Sequence, residues 1–265
     1  MSGLSRADSQ RAGSAPISLF PNAWGVAAAL LLCTIPFGWI GVLAPLIWLM
    51  LCVIESSSGW QRRVAFLATA LLMLTAAMGL VPGSERIELL APYTDAVGNN
   101  IQVAFNPGKA VIALALLPLL IRPKHWPARG DIRIIAAAVL LPLICAALVA
   151  GFSVKFAPVI VAAALVNFAV VCISEEGFFR WILQRGMEES LGRWRWVAVP
   201  VVVVIFTALH TGWAATPAVL ALVAIAGTSY AMLWHLRGNI WACVLAHWGV
   251  NTLHMFLLPY PLTLG

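Results

Sequence analysis

The sequence predicts an all-α fold, a polytopic transmembrane helical bundle of eight or nine spans. Three observations carry that expectation. Of the 265 residues, 62% are hydrophobic and only 10% are charged, whereas a soluble domain has about 25% charged residues. Mean hydropathy is +0.94, which belongs to the membrane class of chains. Uncharged runs also recur at the length of about 20 residues that a spanning helix needs.

Taken in order, residues 1–21 are polar, carry Arg6 and Arg11, and read as a cytoplasmic tail. The apolar stretch that follows is too long for a secretory leader and has no convincing cleavage site, so no signal peptide is expected. That stretch, 22–54, has no charge and is too long for one span. Pro36-Phe37-Gly38 at its middle predicts a tight helical hairpin. Further spans are predicted near 62–80, 106–121, 133–151, 157–176, 196–212, 217–235 and 240–258.

The loop 82–105 carries Glu85, Glu88 and Asp95, and its Ile87–Leu90 patch suggests a short interfacial helix. The loop 122–132, with Lys124 and His125, reads as a basic topology anchor. Tryptophans such as Trp24, Trp60, Trp126 and Trp241 near the span ends form the expected interfacial belt.

Charge placement favours the hairpin. With it, thirteen of the sixteen basic residues fall on the side of the N-terminus, and only Arg86, Lys109 and Lys155 fall on the other. The positive-inside rule then makes the N-terminus cytoplasmic, and the expected location is a bacterial inner (plasma) membrane. The net charge of +6 is accounted for by topology, so nucleic acid is not expected as a partner. The five cysteines lie in apolar segments and form no C-x-x-C pair, which reads as small buried side chains. No disulfide framework or thiolate metal site is expected. The chain divides into the tail 1–21, transmembrane helices 22–156 of no assigned role, a core 157–258, and a short tail 259–265.

Glu175 and Glu176 follow the run Val159–Ile173 without a loop signal, and apolar residues resume after them. The helix is therefore expected to run on toward Gly186, with both carboxylates below the surface. Ionisable groups there cost about 2.5–3.5 kcal/mol each on insertion scales and are functional candidates. Glu176 and Arg180 are spaced i, i+4 with the acid first, the favourable order for an ion pair. Glu175 lies about 100° further round the helix, so it is expected to lack a full counter-charge and to be suited to exchanging protons with water.

His210 ends the apolar run Val197–Leu209, and His247 shares a helical face with Asn251. A lone histidine in an apolar helix is more often structural than catalytic, and His235 and His254 fit that description. The set differs from any one member. Three helices each bring polar groups into segments that are otherwise apolar. Together they supply a base for water, donors for an oxyanion and a proton source for a leaving amine.

Glu175-Glu176-x-x-x-Arg180, Phe206-x-x-x-His210 and His247-x-x-x-Asn251, in that order, resemble the three motifs of the CPBP (CAAX protease and bacteriocin-processing, or Abi) intramembrane proteases. Arg237-x-Gly-Asn-Ile-Trp241 resembles the usual lead-in to the third motif, and the likeness covers roughly 157–256. Trp181 departs from it, since the family often has glycine there. The resemblance implies a metal-free glutamic endopeptidase acting on a membrane-associated peptide or protein within the lipid bilayer. It implies that Glu175 activates water with help from His210. His247 and Asn251 would stabilise the oxyanion, and Glu176, Arg180 and Phe206 would support the site.

Two other readings remain open on the sequence. Two glutamates, two histidines and an asparagine can also ligate zinc, although an arginine beside them disfavours a cation. A non-catalytic immunity or sorting protein with the same fold is the third. On ideal straight helices, moreover, Glu175, His210 and His247 do not lie at one depth.

Overall fold

The computed structural model describes residues 22–122, 126–212 and 216–262. The expectations for the tail 1–21, for Lys124 and His125, and for the last three residues lie outside the described residues. The chain is an integral membrane protein, mostly helical. Among the described residues, five helical runs are long and apolar enough to cross a membrane by length and composition: 23–56, Asp131–Ala150, 158–209, Pro217–Arg237 and Ile240–Leu257. Five such runs are fewer than the eight or nine spans expected.

The difference has a physical source. Helix α1 (Ala23–Leu30) continues through tighter turns to Phe37 before the chain reverses at Gly38, whose φ of 60° suits a residue without a Cβ. Helix α2 (Leu43–Ser56) packs back along it, and the Trp48 indole N–H donates to the Ala23 carbonyl at 2.9 Å. The hairpin is thus present, but its two legs form one apolar run of 34 residues. Helix α3 (Gly59–Ala77) carries Arg62 and Arg63 near its start, and α4 (Pro107–Leu120) has only 14 residues.

Helix α5 is Asp131–Ala150. Helix α6 begins at Pro158 and runs without a break to Leu191, well past Gly186. Gly192, at φ 55°, ends it, and α7 (Ala198–Leu209) folds back beside it. Helices α8 (Pro217–Arg237) and α9 (Ile240–Leu257) follow, separated by Gly238 in the left-handed conformation.

One expectation fails between α3 and α4. In place of an interfacial helix at 87–90, strands β1 (Ile87–Thr94) and β2 (Asn100–Phe105) form an antiparallel hairpin, so the fold is not purely α. Residues alternate in β2: Ile101 and Val103 are buried against Ile160, Ala163 and Met255, while Asn100 and Gln102 face out. That period of two is what a half-buried strand requires. Asp95 closes the turn by accepting from the backbone N–H groups of Val97 and Asn99 and from the Asn99 side chain.

The largest core joins α2, α3, α4, α6 and α9 through residues such as Ile47, Met73, Ile112, Leu116, Phe179 and Val244. Outside it, Ile35, Leu148, Leu165 and Val204 stand exposed. Apolar surface on this scale marks contact with lipid.

The two ends differ in their polar contacts. At one, Arg62 pairs with Glu189, Arg185 with Glu55, and Arg237 with Asp131. The other is tied by the β-hairpin: the Asn99 amide donates to Ser153, and the Asn100 N–H donates to the Tyr260 carbonyl.

Candidate active site

Helix α6 supplies both glutamates, and its backbone is unusual there. Wide π-type turns at Asn167–Cys172 and Gly177–Gln184 flank the short α-helical stretch Ile173–Glu176. Such turns occur in α-helices at functional sites, because an extra residue per turn re-aims the side chains. Glycine allows close packing after the pair, since a Cβ on Gly177 would lie 2.1 Å from Leu116 Cδ1.

Glu176 is fully buried and satisfied on both oxygens. Its Oε2 accepts from Arg180 Nε at 3.0 Å, and its Oε1 lies 2.8 Å from His247 Nδ1. Arg180 also donates to Gln184 Oε1 at 3.3 Å and toward the Gly227 carbonyl. Gln184 in turn donates to Glu188 Oε1 at 3.1 Å, which faces His235 Nδ1 at 3.0 Å. The i, i+4 pair read from the sequence is therefore the first rung of a ladder, 176–180–184–188, down one side of α6.

Glu175 is arranged differently. Its Oε1 accepts from Lys109 Nζ at 2.6 Å. This corrects the expectation that Glu175 lacks a full counter-charge, because α4 delivers one from a part of the chain to which no role was assigned. The other oxygen, Oε2, is buried and has no hydrogen-bond partner among the described residues. It lies 4.0 Å from His210 Nε2 and 4.0 Å from His247 Nε2.

Both imidazoles are held from behind. His210 Nδ1 is 2.7 Å from the Phe206 carbonyl, so the ring donates there and turns Nε2 toward Glu175. The Phe206 ring packs on His210 and Phe179 with centroids 4.3 and 4.9 Å apart. A Cβ on Gly227 would lie 2.7 Å from Phe206 Cδ1, so α8 approaches this ring as only glycine permits. His247 stacks on Tyr230 at 4.9 Å. Asn251, one turn beyond His247, donates from Nδ2 to Asn167 Oδ1 at 3.1 Å.

Glu175, His210, His247 and Asn251 all line one cavity of about 520 Å³, with Asn167, Ser174 and Phe206. The depth mismatch of straight helices is absent. Helix α6 extends far past the glutamates, so Glu175 lies near its middle rather than its end. The cavity continues between α5 and α8, along Leu143, Ala146 and Leu222, and reaches the β-hairpin at Arg86 and Gln102. His254 also lines it, with Nε2 turned to the Pro259 carbonyl at 3.0 Å.

Trp181 packs against Trp234 and lies under the Arg185 guanidinium, away from these polar groups. Sequence reasoning missed Lys109, Asn167 and Gln184. Of these only Gln184 left a trace, as the next i+4 step after Arg180.

No match was found among curated proteins or solved structures. A family model described as Type II CAAX prenyl endopeptidase Rce1-like matches residues 157–253. That stretch holds all three motifs and the whole of α6, α7 and α8. Residues 157–253 of this integral membrane protein therefore match the Rce1-like, CAAX protease (CPBP) family.

Proposed function

We propose that the chain is an intramembrane endopeptidase in which Glu175 activates a water molecule to hydrolyse a peptide bond of a membrane-associated peptide or protein. The observation that carries this reading is the buried Oε2 of Glu175, which has no hydrogen-bond partner among the described residues and lies 4.0 Å from two imidazole Nε2 atoms. A gap of that size, edged by three polar atoms, suits a water that bonds to each.

In this reading Glu175 Oε2 takes a proton from the water, and His210 Nε2 accepts the water's other hydrogen bond. The water oxygen attacks the carbonyl carbon. His247, with Glu176 as counter-ion on Nδ1, donates through Nε2–H to the oxyanion, joined by an N–H of Asn251. The C–N bond then breaks, and Glu175 returns its proton to the leaving amine. Glu176 and Arg180 hold His247 from behind, and Phe206 backs His210.

The reading needs no metal ion. Lys109 and Arg180 place positive charge against both carboxylates, which disfavours a cation at the same oxygens. The placement of thirteen of the sixteen basic residues on the side of the N-terminus supports an N-terminus in the cytoplasm of a plasma membrane. The β-hairpin mouth of the cavity then faces outward.

The direct test uses purified protein in detergent and an internally quenched peptide ending in a farnesylated Cys-aliphatic-aliphatic-X sequence. In parallel, membrane peptidomes of cells carrying wild type or Glu175→Gln are compared. The expected result is a peptide bond cut by wild type and left intact by the folded E175Q variant. Retained cleavage by purified E175Q overturns the mechanism.

A further inference from the structure

We propose that Lys109 is a positioning residue of this site: its ammonium takes one oxygen of Glu175 and so reserves the other for the attacking water. The inference rests on the peptidase reading above and adds to it a residue outside the family segment 157–253.

Lys109 is the sole charged residue of α4, and it sits in the first turn, where the helix dipole opposes a cation. The placement is nonetheless built. The Asn106 side chain caps the helix by accepting the Lys109 backbone N–H at 3.2 Å. A Cβ on the preceding Gly108 would lie 2.0 Å from the Ala76 carbonyl, so α4 starts in direct backbone contact with α3. From that fixed base the side chain reaches Glu175 Oε1 at 2.6 Å.

The other cation nearby is not free for this task. Arg180 is committed to Glu176, Gln184 and the Gly227 carbonyl. Around Glu175 stand Lys109 from α4, His210 from α7 and His247 from α9, with Glu176 and Arg180 on its own helix. Among the described residues, only Lys109 is within hydrogen-bond distance of its carboxylate. Removing the ammonium leaves a buried carboxylate whose nearest donors are the two imidazoles. The carboxylate then swings to one of them and closes the 4.0 Å gap in which water is activated.

Lys109 touches Glu175 and acts through it, so it should affect turnover more than substrate binding. The test measures kcat and KM for Lys109→Met, Lys109→Arg and Lys109→Ala, with E175Q alongside, on the peptide bond that wild type cuts. Thermal unfolding in detergent checks the fold. A misplacement of about 1 Å costs on the order of 10²-fold, so K109M should lose about that much kcat with KM within about twofold. K109R should recover much of it, and added ethylammonium should raise the rate of K109A but not of wild type.

Should K109M fail to fold, Lys109→Leu, which likewise removes both the donor and the charge, is read the same way. Wild-type kcat in folded K109M or K109L, with E175Q inactive, overturns the role of Lys109 alone. An active E175Q overturns the peptidase mechanism on which it rests.

Discussion

Glu176 Oε1 and His247 Nδ1 lie 2.8 Å apart across two helices, 71 residues distant in the chain, with both side chains buried. The adjacent glutamate faces the other nitrogen of the same ring at 4.0 Å. Neighbours in sequence thus approach one imidazole from two sides, and the i, i+1 step of a helix, about 100°, is what makes this possible.

The two glutamates should therefore fail differently. Glu176→Gln leaves Arg180 without its carboxylate in the core. Breaking a buried pair costs about 3–5 kcal/mol, so E176Q should unfold at clearly lower temperature than E175Q in the same detergent. Equal unfolding temperatures would contradict the structural role given to Glu176.

His210→Ala should keep the fold, because the ring is part-buried at the end of α7 and its Nδ1 bond is to the local Phe206 carbonyl. General acid–base partners contribute about 10²–10⁴-fold, and the expected loss of kcat lies in that range. Unchanged kcat in H210A would remove His210 from the water-activating pair.

Metal dependence separates the two hydrolytic readings. Dialysis against 1,10-phenanthroline should leave cleavage unchanged, and added zinc should not stimulate it. Activity lost to the chelator and restored by zinc would favour a site in which Glu175 and the imidazoles act as ligands.

Gly227→Ala tests the close approach of α8 to Phe206. The added methyl overlaps the ring, and overpacking of a filled core costs about 1–3 kcal/mol. The unfolding temperature should fall, and kcat should fall with it because Phe206 backs His210. An unperturbed G227A enzyme would show that this contact positions nothing.

At the hairpin end, the Asp95 carboxyl is held below the ordinary carboxylate range, first by its bond from the Asn99 side chain and also by backbone N–H groups. A depressed carboxylate stabilises the fold above its unfolded value, and that contribution is lost as pH falls through the folded value. Exchange protection of the Val97 and Asn99 amides should hold through mildly acidic pH and fail below the usual carboxylate range. Protection lost already near pH 6 would contradict this.

Most helices were legible because uncharged runs of spanning length can form little else in a bilayer. The reversal at Gly38 was legible from Pro36-Phe37-Gly38, and the three motif segments from their polar residues. The β-hairpin was not, although Ile101, Val103 and Phe105 alternate with polar or small residues: β1 has no such alternation, and Pro92 interrupts it. Lys109 was hidden for a different reason. It is 66 positions from Glu175, no helical period links them, and a lysine near a span end has an ordinary interfacial explanation. The shared depth of the site depended on the length and the wide turns of α6, which composition does not reveal.

The ion pair between Lys109 and Glu175 also bears on modularity. A chimera that joined residues 157–262 to the front half of another membrane protein would inherit every recognisable motif and still lack this cation. On the role proposed for Lys109, the segment that carries the family likeness is a complete signature but an incomplete machine, and grafting it should transfer little activity unless a lysine arrives at the start of the neighbouring helix.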